Sequence, residues 1–165
     1  MAGLDQLETL LFDRKGLAVQ VHSWQQEGRK VAFTNGVFDL LHLGHADYLA
    51  NTRALADKLV VGVNSDASAR RLGKGAGRPI QDGRSRALLL AALSSVDAVC
   101  LFDEDTPYEL IAAVKPDVLA KGGDYKLEQI AGHDLVMARG GVVKVIPFLP
   151  GYSTTAIERK IRETQ

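Results

Sequence analysis

The regular alternation of short apolar runs with amphipathic segments is the feature that most constrains the fold of this chain. Five runs rich in Val, Ile, Leu or Phe predict strands, at 30–35, 58–64, 96–102, 117–122 and 141–148. Between them, apolar residues recur every three or four positions and predict helices at 44–56, 82–95, 106–114 and about 128–139. Strands that alternate with helices in this way are typical of α/β proteins with a parallel sheet.

The chain is therefore expected to form a Rossmann-like open parallel sheet of five strands, with helices on both faces. Two amphipathic helical patterns, LDQLETLLF and AVQVHSWQQEG, precede the first predicted strand. We expect residues 1–29 to form a helical extension that packs on the core, and residues 30–165 to complete a single domain. His22 in the second pattern is expected to be a surface or interface residue and not a ligand.

Composition excludes several classes of protein. The 165 residues are 46% hydrophobic and 24% charged, and 20 basic side chains balance 20 acidic ones, which does not fit a strongly basic nucleic-acid binder. No apolar run approaches the roughly 20 residues that a membrane span needs, and the acidic N-terminus does not resemble a signal peptide. We expect a cytoplasmic protein without nucleic-acid or membrane partners. Cys100 is the only cysteine and is expected to be buried.

The segment NGVFDLLHLGH follows the first strand, at the edge where parallel sheets bind ligands. Asn35 and Gly36 end the strand, and a helix begins near the two histidines, so that its free amides and dipole favour a phosphate. His42 and His45 lie about one helical turn apart, and both can face one ligand. A metal site would need a third ligand at suitable spacing, which is missing. The alternative is structural, with one histidine capping the helix and the other buried in the core.

Three further loops at the same edge carry residue types that bind anions. The segment 64–82 and the residues just after it are rich in glycine and contain Arg70, Arg71, Lys74, Arg78, Arg84 and Arg86. This segment is either an anion-binding lid or a solvated loop, and it contains no Walker motif. The segment KGGDY places Lys121 at the end of the fourth strand. After the fifth strand, GYSTTAIE places three hydroxyls at a helix start, where Thr155 and Glu158 also fit a capping box.

The chain resembles the nucleotidyltransferases with an HxGH signature over about residues 30–163. The resemblance is carried by six segments in this order: FTNGVFDLLHLGH, VNSDAS, RPI, FDEDTP, PDVLAKGGDY and GYSTTAI. KGGDY and FDEDTP are most similar to the D-glycero-β-D-manno-heptose 1-phosphate adenylyltransferase branch. The resemblance implies that a sugar 1-phosphate attacks the α-phosphorus of ATP, giving ADP-heptose and pyrophosphate for the lipopolysaccharide inner core. It also implies Mg²⁺ bound mainly through the ATP phosphates, with no metal ligands from protein side chains.

The resemblance assigns roles residue by residue. The catalytic residues would be His42, His45 and Lys121. The nucleotide would be bound by Asn35, Gly36, Val37, Phe38, His42, Gly44, His45, Ser153, Thr154 and Thr155. The sugar phosphate or the outer phosphates would be bound by Asn35, Asp39, Arg78, Arg86, Lys121 and Asp124. Relatives that act on glycerol phosphate carry an arginine where this chain has Phe148 and Leu149, so Lys121, Lys74 or Arg71 is expected to supply that cation.

Many members of this branch are fused to a sugar kinase, for which these 165 residues leave no room. We therefore expect a transferase that is fed by a separate kinase and forms a homodimer. Two alternatives remain open. The first is a cytidylyltransferase-type enzyme that acts on another phosphate ester with CTP, and the second is a nucleotide-sensing module without catalytic activity.

Overall fold

The computed structural model describes residues 3–73, 75 and 77–164. Within them, six strands form one parallel sheet: β1 (Leu11–Phe12), β2 (Val31–Gly36), β3 (Lys58–Asn64), β4 (Ala98–Phe102), β5 (Val118–Gly122) and β6 (Val142–Ile146). The helices are α1 (Gly3–Glu8), α2 (Arg14–Gln26), α3 (Leu43–Arg53), α4 (Asp66–Arg71), α5 (Gly83–Ala91), α6 (Tyr108–Val114), α7 (His133–Ala138) and α8 (Thr154–Glu163).

The strand order is β1-β4-β3-β2-β5-β6. After β2 the chain adds β3 and β4 on one side of β2, and it later adds β5 and β6 on the other side. The point between β2 and β5 is therefore the topological switch point, and ligands bind there in open α/β sheets. The Rossmann-like α/β class is confirmed. No helix among the described residues is long and apolar enough to cross a membrane.

The sheet separates two layers of core because alternate side chains on a strand face opposite sides. Val31 and Phe33 of β2 pack in one layer together with Leu17 and Val21 of α2. Ala32, the residue between them, packs in the other layer, which is covered by α3 and α5. Burial on both faces explains why the central strands are almost continuously apolar.

The predicted strand count of five was wrong, because the N-terminal pattern LDQLETLLF contains a short strand as well as a helix. Leu11 and Phe12 pair with Val99 and Cys100 at the edge of the sheet. A strand of two residues is too short to produce a period-2 pattern, so the sequence assigns Leu11 and Phe12 to the preceding helical pattern. The neighbouring Cys100 is buried and free as expected, and burial raises the pKa of its thiol to about 11.

The helix predicted at about 128–139 is interrupted. Leu127–Gln129 form a 3-10 turn, and α7 begins only after Gly132, whose φ is +83°. A left-handed backbone at that position cannot continue a right-handed helix. His22 is exposed on α2, as the sequence predicts.

Replacement of Leu17 by alanine tests whether α2 is part of the folded core. Leu17 is fully buried, so Leu17→Ala should lower the free energy of unfolding by about 2–5 kcal/mol in chemical denaturation. Val19 on the same helix is 72% exposed, and Val19→Ala should change that free energy by less than about 0.5 kcal/mol. Equal effects of the two substitutions would contradict this packing.

Candidate functional site

The turn that follows β2 has an unusual backbone. Phe38 has a φ of +50°, which is rare for a residue with a bulky side chain. Its ring packs so closely on Gly36 that a Cβ there would lie 2.9 Å from the ring. The same ring meets His45 edge to face, with 5.3 Å between centroids. The turn thus fixes the position of one predicted site histidine.

Two buried charged groups hold this turn in place. Arg86 donates from Nη1 to the carbonyl of Val37 at 2.6 Å, and from Nη2 to Asp66 at 2.8 Å. Asp39 is buried as well, and its Oδ1 accepts hydrogen bonds from the amides of Ile80 and Gln81 at 2.7 and 3.0 Å. The segment that precedes α5 is thereby attached to the turn after β2.

The two predicted catalytic histidines stack on each other at the start of α3. Their ring centroids are 3.8 Å apart and the ring planes differ by 19°. His42 occupies the N-cap position, but its side chain makes no capping hydrogen bond. Its buried Nδ1 has no hydrogen-bond partner among the described residues. Burial lowers the pKa of His42 below its ordinary value of 6.5, so the imidazole is neutral at pH 7.

Gly44 permits a close approach at this helix start. A Cβ at Gly44 would lie 3.1 Å from the His42 ring and 3.1 Å from Cβ of Tyr152. Tyr152 belongs to the segment that leads into α8, so the absence of a side chain at Gly44 lets the starts of α3 and α8 come together. This brings two of the predicted phosphate-binding elements to one place.

The start of α8 is capped by Ser153, which accepts a hydrogen bond from the amide of Ala156 at 3.0 Å. The predicted capping box of Thr155 and Glu158 was wrong, because Glu158 pairs with Arg78 instead. Of the three hydroxyl residues, Thr154 lines a cleft of about 80 Å³ together with His45. Ser153 and Thr155 are exposed and line a separate surface depression, so Thr154 alone of the three lines this cleft.

A larger cleft of about 250 Å³ lies on the other side of Val37, at the switch point. Lys121 at the end of β5 donates to Oδ1 of Asn35 at 3.2 Å, across from the end of β2. The lysine Nζ also lies 5.9 Å from the centre of the Tyr125 ring. The polar lining of this cleft is Asn35, Asn64, Asp105, Thr106, Lys121 and Gln129.

Four of these lining residues were not among the predicted site residues. Asn64 ends β3, and Asp105 and Thr106 follow β4, so their positions after predicted strands are a signal that the sequence offers. Gln129 lies in a 3-10 turn, and no sequence pattern marks it. The rule that ligands bind beyond the carboxyl ends of strands would have found the first three.

Other predicted binding residues contact the protein itself. Arg86 is fully buried and its third hydrogen bond goes to the carbonyl of Gln81. Arg71 pairs with Asp105 at 2.6 Å. Asp124 is exposed outside both clefts. Lys74 lies outside the described residues.

Phe148, which lies where the sequence analysis noted an arginine in glycerol phosphate relatives, packs against the protein itself. The Phe148 ring lies so close to Gly122 that a Cβ at position 122 would overlap it. The centroids of the Phe148 and Tyr48 rings are 6.3 Å apart. Tyr48 in turn shares a buried 2.6 Å hydrogen bond with Thr34. The sequence offers Lys121, Lys74 and Arg71 as cations in place of that arginine. Of the two that the structure describes, Lys121 lines the larger cleft and Arg71 does not.

His42 predicts a specific dependence of stability on pH. The unfolded chain binds a proton at His42 as the pH falls through about 6.5, whereas the folded chain does so only at lower pH. The free energy of unfolding should therefore decrease between pH 7 and pH 5. In His42→Gln the decrease should be smaller, as measured by urea denaturation across this range. Identical pH profiles for the two proteins would contradict the lowered pKa of His42.

Comparison with known proteins supports a single family. Residues 33–160 match the family model described as cytidylyltransferase-like. The chain is 53% identical over 147 residues to the bifunctional protein HldE of Rhodopseudomonas palustris, and 52% identical over 155 residues to that of Bradyrhizobium diazoefficiens. These alignments cover 89% and 94% of this chain, but only 30% and 31% of the relatives. The chain thus spans about a third of their length.

Solved structures agree with this relationship. A lipopolysaccharide core biosynthesis protein from Thermoplasma volcanium superposes with a TM-score of 0.60 and 35% identity, covering 74% of this chain and 98% of that one. A pantoate-beta-alanine ligase from Francisella tularensis superposes with a TM-score of 0.57 at 16% identity, covering 93% and 78%, and shows the shared fold alone. The chain belongs to the cytidylyltransferase-like family.

Proposed function

We propose that this protein transfers AMP from ATP to D-glycero-β-D-manno-heptose 1-phosphate, giving ADP-heptose and pyrophosphate for the lipopolysaccharide inner core. The observation that carries the proposal is the pair of clefts that share Val37 at the switch point. The smaller cleft is lined by a histidine and a threonine from two helix starts, together with Arg78 and Asp39. The larger cleft is lined by a lysine among polar groups that include Asp105. The names of the HldE relatives and of the Thermoplasma protein support the same activity.

In this proposal the smaller cleft marks where the triphosphate binds. His45 near the start of α3 and Thr154 at the start of α8 line it, and helix starts favour the binding of phosphates. His42 and His45 would donate hydrogen bonds to phosphate oxygens as negative charge builds up on them. The turn and the helix start that hold the nucleotide would be shaped by Asn35, Gly36, Val37, Phe38 and Gly44. Ser153 and Thr155 would contact the nucleotide from the exposed start of α8.

The nucleophile needs no general base from the protein. A phosphate monoester has a second pKa near ~6, so most of it is already a dianion at neutral pH. What the site must supply is alignment of the attacking oxygen with the α-phosphorus and compensation of charge. Stacked imidazoles at a helix start fit this task because each can donate a hydrogen bond to a phosphate oxygen without having to take a proton from the nucleophile.

The larger cleft is where the sugar phosphate is proposed to bind. Lys121 would hold the 1-phosphate and help to orient it towards ATP. Around it, the amides of Asn35, Asn64 and Gln129 and the hydroxyl of Thr106 can each donate or accept, which suits a polyhydroxylated ligand. Asp124 would contact the sugar only if the segment after β5 closes over the cleft.

Mg²⁺ is proposed to enter with the nucleotide and to be held through its phosphate oxygens. No group of three or more His, Cys, Asp or Glu among the described residues is placed to hold a metal. The carboxylates nearest the clefts are engaged by arginines, Asp39 by Arg78 and Asp105 by Arg71. When bound, the ion would neutralise charge on the leaving pyrophosphate.

The proposal includes partners as well as substrates. A sugar kinase would supply the 1-phosphate, and HldE relatives are named as bifunctional proteins. A homodimer is proposed through the N-terminal helix α1, where Leu4 is exposed. Sedimentation of the wild type and of a Leu4→Glu variant would test this assembly.

Pyrophosphate release, measured with each nucleoside triphosphate and a panel of phosphate esters, tests the activity. We expect turnover with ATP and heptose 1-phosphate. Turnover with CTP and another ester, and none with ATP and heptose 1-phosphate, would favour a cytidylyltransferase. Binding of ATP without turnover of any ester would favour a nucleotide sensor.

The role of His45 can be tested separately. His45→Ala removes a hydrogen-bond donor to the developing charge, so kcat should fall about 100- to 1,000-fold while the circular dichroism spectrum is unchanged. His22→Ala, which changes an exposed histidine on α2, is the control and should keep wild-type kcat. Near-normal turnover of the His45 variant would refute the assigned role.

A further inference from the structure

Helix α8 is held to the rest of the protein by few contacts. None of its residues is buried, although it carries Thr154 at the smaller cleft. Thr154 and Glu158 are four residues apart and share the half-buried face of the helix. Whatever fixes Glu158 therefore also fixes how close Thr154 lies to His45.

Arg78 contacts Glu158 and Asp39 at the same time. Its Nη2 lies 2.6 Å from Oε2 of Glu158, and its Nη1 lies 3.7 Å from Oδ2 of Asp39. The three side chains are mostly withdrawn from water, with exposed fractions of 13% for Arg78, 24% for Glu158 and 3% for Asp39. Ion pairs in such surroundings are screened less than surface pairs.

The charge on Asp39 explains why a cation is needed here. Its Oδ1 accepts two backbone hydrogen bonds, whereas its buried Oδ2 has no hydrogen-bond partner among the described residues. The Arg78 guanidinium is the charge that faces this oxygen. The fork of the guanidinium can serve a second carboxylate at the same time, which the point charge of lysine does less well.

We propose that Arg78 and Glu158 are positioning residues, which tie the start of α8 to the turn after β2 and so set the distance between Thr154 and His45 for the triphosphate. This inference rests on the proposed function for the identity of the ligand. It differs from the sequence-based expectation, in which Arg78 contacts a substrate phosphate directly. In the proposed arrangement the arginine acts through the helix that it holds.

The two roles predict opposite effects of Glu158→Gln. If Arg78 acts by holding α8, loss of the Glu158 carboxylate should raise the KM for ATP and the Kd for ATP in calorimetry by about tenfold, with the KM for the sugar phosphate unchanged. If Arg78 contacts phosphate directly, the same change releases its guanidinium, and ATP should bind equally well or more tightly. Unchanged or tighter binding would overturn the proposal.

The matched control lies on the same helix. Arg159 and Glu163 form an exposed pair at 3.7 Å, with exposed fractions of 76% and 68%. Glu163→Gln removes the same charge from α8 without touching the clefts, and the Kd for ATP should stay within about twofold of the wild type. A tenfold change in this control would mean that the helix responds to net charge and not to the Arg78 contact.

A double-mutant cycle adds a second test. Arg78→Lys keeps a positive charge near Asp39 but loses the fork, so it should weaken ATP binding as Glu158→Gln does. In the double variant the losses should not add, because either change alone breaks the link. Additive losses would show that the residues act independently and would overturn the proposal.

Amide hydrogen exchange tests the link without any nucleotide. Residues 154–158 should exchange faster in Glu158→Gln than in wild type or Glu163→Gln. Equal exchange in all three proteins would overturn the link itself. If exchange changes as expected while no nucleoside triphosphate is turned over, the proposed function fails and the structural link stands.

Discussion

The buried hydrogen bond from Arg86 to the carbonyl of Val37, together with the two amide hydrogen bonds to Asp39, holds the turn on which both clefts depend. A charge withdrawn from water destabilises a protein unless it is paired and hydrogen-bonded. Arg86 meets this condition through Asp66 and two carbonyls. With the turn fixed, Phe38 can keep a left-handed backbone, its ring meets His45, and Val37 separates the two clefts.

The same constraint explains the chemistry that the site can perform. Arg78, Arg86 and Asp39 are engaged in holding loops, and the two histidines stack at a helix start, where burial lowers the pKa of His42. A reaction whose nucleophile is already ionised suits such a site. Transfer of a nucleotidyl group to a phosphate monoester has this property, because alignment and compensation of charge carry most of the catalysis.

The sequence does not show which side chains its arginines contact within the protein. Arg78 and Arg86 were expected to bind substrate because they lie in a basic, glycine-rich segment at the ligand edge. The structure pairs them with Glu158 and Asp66, which lie 80 and 20 residues away along the chain. A guanidinium recognises a carboxylate and a phosphate by the same two-pronged geometry, so composition alone does not distinguish these partners. Gln129 was missed because no periodicity or spacing marks a residue of a 3-10 turn.

The sequence by itself determined the α/β class, five of the six strands, the edge of the sheet that carries the site, and the family. These follow from periodicity and from ordered local motifs, which need no knowledge of distant contacts. Only the tertiary structure decided that Leu11 and Phe12 complete the sheet, that Thr154 and not Thr155 reaches the cleft, and that Arg78 links α8 to the turn after β2. Each of these depends on which segments meet in space, and such pairings are set by packing and charge over the whole chain.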